Sequence, residues 1–212
     1  MRVIAGIYRS RPLVSPKGMG TRPTSDRLRE TLFNVLAPRI AGSRFVDLYA
    51  GTGAVGIEAM SRGAEHVWFA EKAAPAIAAM RTNLTALKIA GGYTLETRGV
   101  GALLPKLVGA DLVFLDPPYE AVEEYERTMS VLGSGRGLAD GAMVIAEHGR
   151  KVELRERYGV LVRSRVLVQG DAGLSFFAVE KAESVGLGDI LIVITPTFAL
   201  LGALRMGYPA SG

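Results

Sequence analysis

The sequence predicts an α/β protein with a mostly parallel sheet that closes in an antiparallel hairpin. Three observations carry this. Short apolar runs alternate with helical stretches from about residue 41 onward. The first such run leads straight into Gly51-Thr52-Gly53-Ala54-Val55-Gly56, a glycine-rich turn between strand and helix. The last two runs, Val160–Val168 and Leu174–Val179, are separated by five residues including Gly170 and Gly173, which suits a hairpin.

The elements follow in order. Val3–Tyr8 reads as a short strand, with Leu13-Val14 as its partner. Pro16, Gly18, Gly20 and Pro23 mark a loop. Thr24 or Ser25 can cap the next helix, and Asp26 suits its first turn. Leu28, Leu32, Val35 and Leu36 form one apolar stripe, and Pro38 is expected to end the helix. Strands are then expected at Phe45–Tyr49, Val67–Glu71, Tyr93–Thr97, Leu112–Leu115 and Met143–Ala146. Helices are expected at Val55–Arg62, Ala74–Leu87, Val100–Leu107 and Glu120–Val131. The sequence thus divides into a basic arm with a leading helix (1–40), a main α/β body (41–181) and an extension (182–212).

Composition removes several function classes. The 212 residues include no cysteine and only two histidines, His66 and His148. A disulfide scaffold, an iron–sulfur cluster, a thiol nucleophile and a zinc finger are excluded, and a His-rich metal centre is disfavoured. No apolar stretch near the start resembles a secretion signal, so a cytoplasmic location is expected, with no membrane contact. The net charge is +4. Residues 1–39 hold eight basic and two acidic side chains, so the rest of the chain is slightly acidic. The arm is therefore either a solvated basic face or a contact surface for phosphates.

Two motifs carry the chemistry. In the glycine turn, Gly51 permits a tight bend, Gly53 lets a ligand approach the backbone, and Gly56 allows close helix–strand packing. Glu71 follows Gly51 by twenty residues at the end of the second strand, where it can accept ribose hydroxyls. Either a dinucleotide or S-adenosylmethionine fits that pattern. Asp47 adds negative charge that suits a cationic ligand better than a pyrophosphate. The second motif, Asp116-Pro117-Pro118-Tyr119, ends the fourth strand. Pro117 and Pro118 fix two φ angles and hold the corner rigid. The Asp116 carboxylate and the Pro117 carbonyl are two acceptors matched to an exocyclic amino group, and Tyr119 supplies a ring for stacking on a base. Transfer of a methyl group from a sulfonium to that nitrogen needs alignment more than a metal or a nucleophile.

These residues resemble the S-adenosylmethionine-dependent amino-group methyltransferases. The segment Arg22-Pro23-Thr24-Ser25-Asp26-Arg27-Leu28-Arg29-Glu30-Thr31-Leu32-Phe33-Asn34 narrows the resemblance. It is similar to the signature of bacterial 16S rRNA guanine-N2 methyltransferases of the RsmD family, as are Phe45–Gly53, Glu58–Ala64 and Leu112–Tyr119. The resemblance covers about residues 1–181. It implies a Rossmann-like seven-stranded methyltransferase fold and methylation of one guanine at N2 in 16S rRNA, free or in an assembling small ribosomal subunit. It implies cofactor contacts from Asp47, Ala50, Gly51, Thr52, Gly53, Gly56 and Glu71, and catalytic roles for Asp116, Pro117, Pro118 and Tyr119. RNA contacts are implied for Arg9, Arg11, Arg22, Arg27 and Arg29. No metal is expected, and the protein is expected to be a monomer. Thr97-Arg98-Gly99-Val100 departs from the small polar residue usual near the adenine. Adenine-N6 methylation and a non-catalytic RNA-binding module remain as alternatives. After Lys181, the apolar run Ile190–Leu201 is interrupted by Pro196 and is too short for a membrane span. An added strand, a packed patch or a self-association surface would each account for it.

Overall fold

The computed structural model describes residues 1–16, 26–118 and 121–180. One eight-stranded sheet organises them. Its strands are β1 (Arg44–Leu48), β2 (His66–Ala70), β3 (Tyr93–Glu96), β4 (Ala110–Leu115), β5 (Leu138–Gly149), β6 (Arg157–Tyr158), β7 (Leu161–Gln169) and β8 (Ala172–Val179). The order across the sheet is β3-β2-β1-β4-β5-β8-β7-β6. The first five strands are parallel, and β8 returns antiparallel to β5 and β7. The order reverses between β1 and β4, so a crevice opens at their carboxyl ends, where ligands bind in such sheets.

Period-two alternation sends the two sides of each strand into different layers. Phe45, Phe69, Phe114 and Phe176 face one side, with α1 (Asp26–Ile40), α2 (Ala54–Ser61) and α3 (Ala74–Ala86). Val46, Leu48, Val113, Val144 and Phe177 face the other. There they meet α4 (Val100–Leu103) and Tyr125, Met129 and Leu132 of α5 (Val122–Leu132). Leu28, Leu32, Phe33 and Leu36 of α1 are buried in the first layer. The leading helix thus shares one core with the body, and residues 1–181 form one compact unit.

The structure departs from the sequence reading at four places. The arm is not a regular hairpin: a single bridge joins Arg2 and Pro12. Within it the Val3 N–H donates to the Arg11 carbonyl and the Leu13 N–H to the Met1 carbonyl, both at 3.0 Å, and other donors turn to α2. The N–H groups of Ile4 and Ala5 donate to the Glu58 carboxylate at 2.7 and 2.9 Å, and that of Tyr8 donates to Ser61 Oγ at 3.0 Å. Helix α1 runs through Pro38 to Ile40, because Leu36 and Ile40 anchor its last turn in the core. Strand β5 extends well beyond Met143–Ala146 at both ends. Finally, an eighth strand, β6, joins the edge through two residue pairs, too few for a period to show in sequence. The expected cap at Thr24 or Ser25 and the apolar tail lie outside the described residues.

Gly56 shows why the glycine turn has its composition. A Cβ there would stand 2.2 Å from the Phe69 ring, so helix and strand approach as the sequence suggested. Gly56→Ala is expected to destabilise the fold by about 1–3 kcal/mol through overpacking. Chemical denaturation measures this directly.

Candidate active site

The two motifs meet at the β1–β4 reversal. Gly51 and Gly53 hold φ of 54° and 77°, left-handed values that favour glycine. Gly53 starts α2 without a side-chain cap. That role falls to Asp47, whose Oδ2 accepts the Gly56 N–H at 2.8 Å. Glu71 braces the same turn. Its Oε2 accepts the Gly51 N–H at 2.8 Å, and its Oε1 accepts those of Lys72 and Ala73, also at 2.8 Å. A carboxylate oxygen has two acceptor sites, so Glu71 can still take a ribose hydroxyl through Oε2. Asn83 of α3 ties Thr52 to the arm. Its Nδ2 donates to the carbonyls of Thr52 and Val14 at 3.1 Å, and its Oδ1 accepts the Val14 N–H at 2.8 Å.

The second motif begins one step past β4. The Asp116 N–H reaches the Leu48 carbonyl at 3.4 Å, which extends the β1–β4 ladder and sets Asp116 beside the start of the glycine turn. Pro117 is buried and Pro118 is exposed. The Pro118 carbonyl accepts the Ala121 N–H at 2.8 Å, so the chain turns directly into α5. Tyr119 lies outside the described residues.

The crevice is strongly acidic. Asp47 is 1% exposed and Glu147, at the carboxyl end of β5, is 3% exposed. Burial first, with the Glu71 charge adding to it, pushes the Asp47 carboxyl up to about 7 despite its bond from Gly56. Burial, and then the charges of Glu147 and Asp47, raise Asp116 well above the usual carboxylate range. The folded protein therefore holds protons that the unfolded chain releases. That stabilisation is fully present below the unfolded value of 3.8 and is lost as pH rises through about 7. The thermal midpoint of the cofactor-free protein should accordingly fall between about pH 4 and 7, and Asp47→Asn should flatten that slope. Thermal scans across this range check both.

This chemistry separates the two ligand classes left open by the glycine turn. A pyrophosphate at the α2 N-terminus would find the Gly56 N–H already taken by Asp47 and would add its charge to a crevice of carboxyl groups with no cation among the described residues to meet it. S-adenosylmethionine carries a cationic sulfonium and an ammonium, and it fits.

Tyr49 was not singled out from the sequence. It follows β1 with φ 61°, an unusual value for a bulky residue. Its hydroxyl donates to Glu124 Oε2 at 2.8 Å and lies 2.7 Å from Thr128 Oγ1, so α5 holds the strained corner in place. Other residues have structural places. His148 lies on the opposite sheet face with Nε2 2.8 Å from Ser175 Oγ, and burial lowers its pKa. Tyr125 packs in the second layer and donates to the Glu147 carbonyl at 2.8 Å. Where the sequence departs at Arg98, that side chain pairs with Glu96 at 2.8 Å, and Lys106 joins it at 2.5 Å.

The expected RNA-binding arginines divide. Arg9, Arg11 and Arg27 are exposed, and Arg22 lies outside the described residues. Arg29 corrects the sequence reading: it is completely buried between α1 and α2, with Nε 3.9 Å from Glu58 Oε2. One of its terminal nitrogens donates to Asp26 at 3.0 Å and to the Arg2 carbonyl. A phosphate cannot reach it.

Fold and site together define a methyltransferase of the class that uses S-adenosylmethionine. The family described as conserved hypothetical protein 95 matches residues 1–178. The Bacillus subtilis protein YlbH is 36% identical over 181 residues, which is 84% of this chain and 98% of YlbH. Ribosomal RNA small subunit methyltransferase D of Escherichia coli is 37% identical over 147 residues, 69% of this chain and 74% of that protein. The solved structure of yhhF from Escherichia coli superposes with a TM-score of 0.75 at 34% identity, covering 85% of this chain and 98% of that one. The chain belongs to this family, the RsmD family of rRNA methyltransferases.

Proposed function

We propose that this protein transfers a methyl group from S-adenosylmethionine to the exocyclic N2 amino group of one guanine in 16S rRNA, working in the cytoplasm. The observation that supports this most strongly is the meeting of the glycine turn with the Asp116-Pro117 corner at one sheet reversal. The family supports rRNA as substrate, and the leading segment's similarity favours guanine N2 over adenine N6.

The proposed roles join the sequence motifs to the geometry that supports them. Glu71 and the backbone of Ala50–Gly53 hold the adenosine end of the cofactor, and Asp47 supplies negative charge beneath the turn. The cofactor contributes an electrophilic methyl group on a sulfonium. The Asp116 carboxylate and the Pro117 carbonyl accept the two N–H bonds of the target amino group and aim its lone pair along the line of transfer. Tyr119 stacks on the base once it has left its helix. When bound, the cofactor would give up its methyl carbon to the nitrogen lone pair as its carbon–sulfur bond breaks, the electron pair staying on sulfur. The proton then shed by N2 has the Asp116 carboxylate beside it as acceptor, kept ionised by the neighbouring cationic sulfonium.

Tritiated S-adenosylmethionine incubated with unmodified small-subunit rRNA should label a single position. No label on RNA, with cofactor binding intact, would leave only the RNA-binding reading. The arm predicts a separate result. Arg9→Gln with Arg11→Gln should weaken RNA binding and reduce the slope of log affinity against log salt by about 1.5–2. Cofactor affinity should not move. An unchanged slope would return those arginines to a solvated face.

A further inference from the structure

One acidic residue in the crevice has no part in the mechanism above. Glu147 follows Ala146, the register partner of Leu115, so it stands next to Asp116 at the carboxyl ends of β4 and β5. Across the sheet it pairs with Leu174, which packs in the same layer as Phe45 and Phe114. Alternation therefore puts Glu147 on the face that carries Asp47, while His148 and Ser175 meet on the other face. The Tyr125 hydroxyl anchors the Glu147 backbone from α5 at 2.8 Å. Its charge is also felt at Asp116, the residue that holds the target nitrogen.

The position matters because of what lies beside the reacting amino group. In guanine, N2 adjoins N1–H, a donor. In adenine, N6 adjoins a bare N1, an acceptor. Asp116 and the Pro117 carbonyl see only an amino group, and they treat the two bases alike. A carboxylate one step along the sheet edge does not. It accepts N1–H from guanine and sets lone pair against lone pair with adenine. We infer that Glu147 is the specificity-determining residue that reads guanine N1–H beside the methylated amino group. This rests on the guanine-N2 reading above.

The test separates the two. Once the labelled position is mapped, an rRNA fragment is prepared with either guanosine or 2-aminopurine there. 2-Aminopurine keeps the 2-amino group but presents a bare N1. A site built around a hydrogen bond to one group rejects an analogue lacking it strongly. Wild-type protein should therefore favour guanine by roughly a hundredfold or more in kcat/KM. Glu147→Gln can turn its amide N–H toward the bare N1, so it should raise turnover of 2-aminopurine and narrow the preference to within about tenfold. S-adenosylmethionine affinity, read by calorimetry, should stay at the wild-type value and shows that the variant is folded. A wild-type enzyme that methylates both fragments equally overturns the inference without any variant. So does a folded Glu147→Gln that keeps the full preference. Failure of the guanine-N2 reading looks different: no N2-methylguanosine forms on natural rRNA.

Discussion

Asp116→Ala lowers methyl transfer at least a hundredfold and leaves S-adenosylmethionine binding in place. The variant removes one of the two acceptors proposed to orient the target nitrogen, and losing one well-placed group at a reacting centre typically costs about 10²–10³ in rate. In the proposed mechanism the cofactor is held elsewhere, by the Gly51–Gly53 turn and by Glu71, whose carboxylate braces the Gly51 N–H at 2.8 Å. Asp116 touches that turn only through its backbone, by the 3.4 Å bond to the Leu48 carbonyl, and alanine keeps this bond. Removing a carboxylate also relieves crowding with Asp47 and Glu147, so the fold should not suffer. Single-turnover methyl transfer and calorimetry on the same preparation give both readouts. Undiminished transfer would remove Asp116 from the mechanism.

Glu58→Ala costs about 3–5 kcal/mol of stability and lowers the thermal midpoint by roughly 10 °C. Glu58 is completely buried in α2. It accepts the N–H groups of Ile4 and Ala5, pairs with Arg62 at 2.7 Å, and lies 3.9 Å from the Arg29 guanidinium. Arg29 is equally buried, and two of its nitrogens, Nε and Nη1, have no hydrogen-bond partner among the described residues. Removing Glu58 takes from that guanidinium one of its two neighbouring carboxylates, leaving only the half-exposed Asp26, and strips the arm of two anchors at once. The penalty is large because a buried guanidinium loses carboxylate charge and two backbone N–H groups lose their acceptor, whatever the net worth of the intact pair. Denaturant titration measures it. A loss under about 1 kcal/mol would mean that the arm and α1 are held by apolar packing alone.

The sequence revealed most where a local pattern and the tertiary structure agree. Phe45–Leu48 (Asp47 apart), Val67–Ala70 and Leu112–Leu115 are short apolar runs because their strands are covered on both faces. The glycine turn was legible because φ values of 54° and 77° restrict the choice of residue. Glu147 was hidden for the opposite reason. Two polar residues, Glu147 and His148, broke the apolar run, so β5 was expected to stop at Ala146. Pairing with β8 carries it on to Gly149. Arg29 misled because charge in a sequence does not report burial. A signal was present all the same: Arg29, Phe33, Leu36 and Ile40 share one helical stripe, and all four are buried. Glu58 gave no such sign. It sits in a helix buried on nearly every side, and only the arm returning across α2 shows what it binds.

The same acidic crevice that excludes a pyrophosphate sets the enzyme's demand on its substrate. Its carboxyl groups suit a cation and an amino group, and the proposed role of the basic arm is to meet phosphates outside it. Among the described residues no helix is long and apolar enough to cross a membrane.

The most direct test of this account is the identity of the methylated nucleoside. Small-subunit rRNA lacking the modification is treated with the protein and S-adenosylmethionine, digested to nucleosides and weighed by mass spectrometry against standards. The account predicts N2-methylguanosine as the single new product, absent with Asp116→Ala. N6-methyladenosine, or no methylated nucleoside at all, would contradict it.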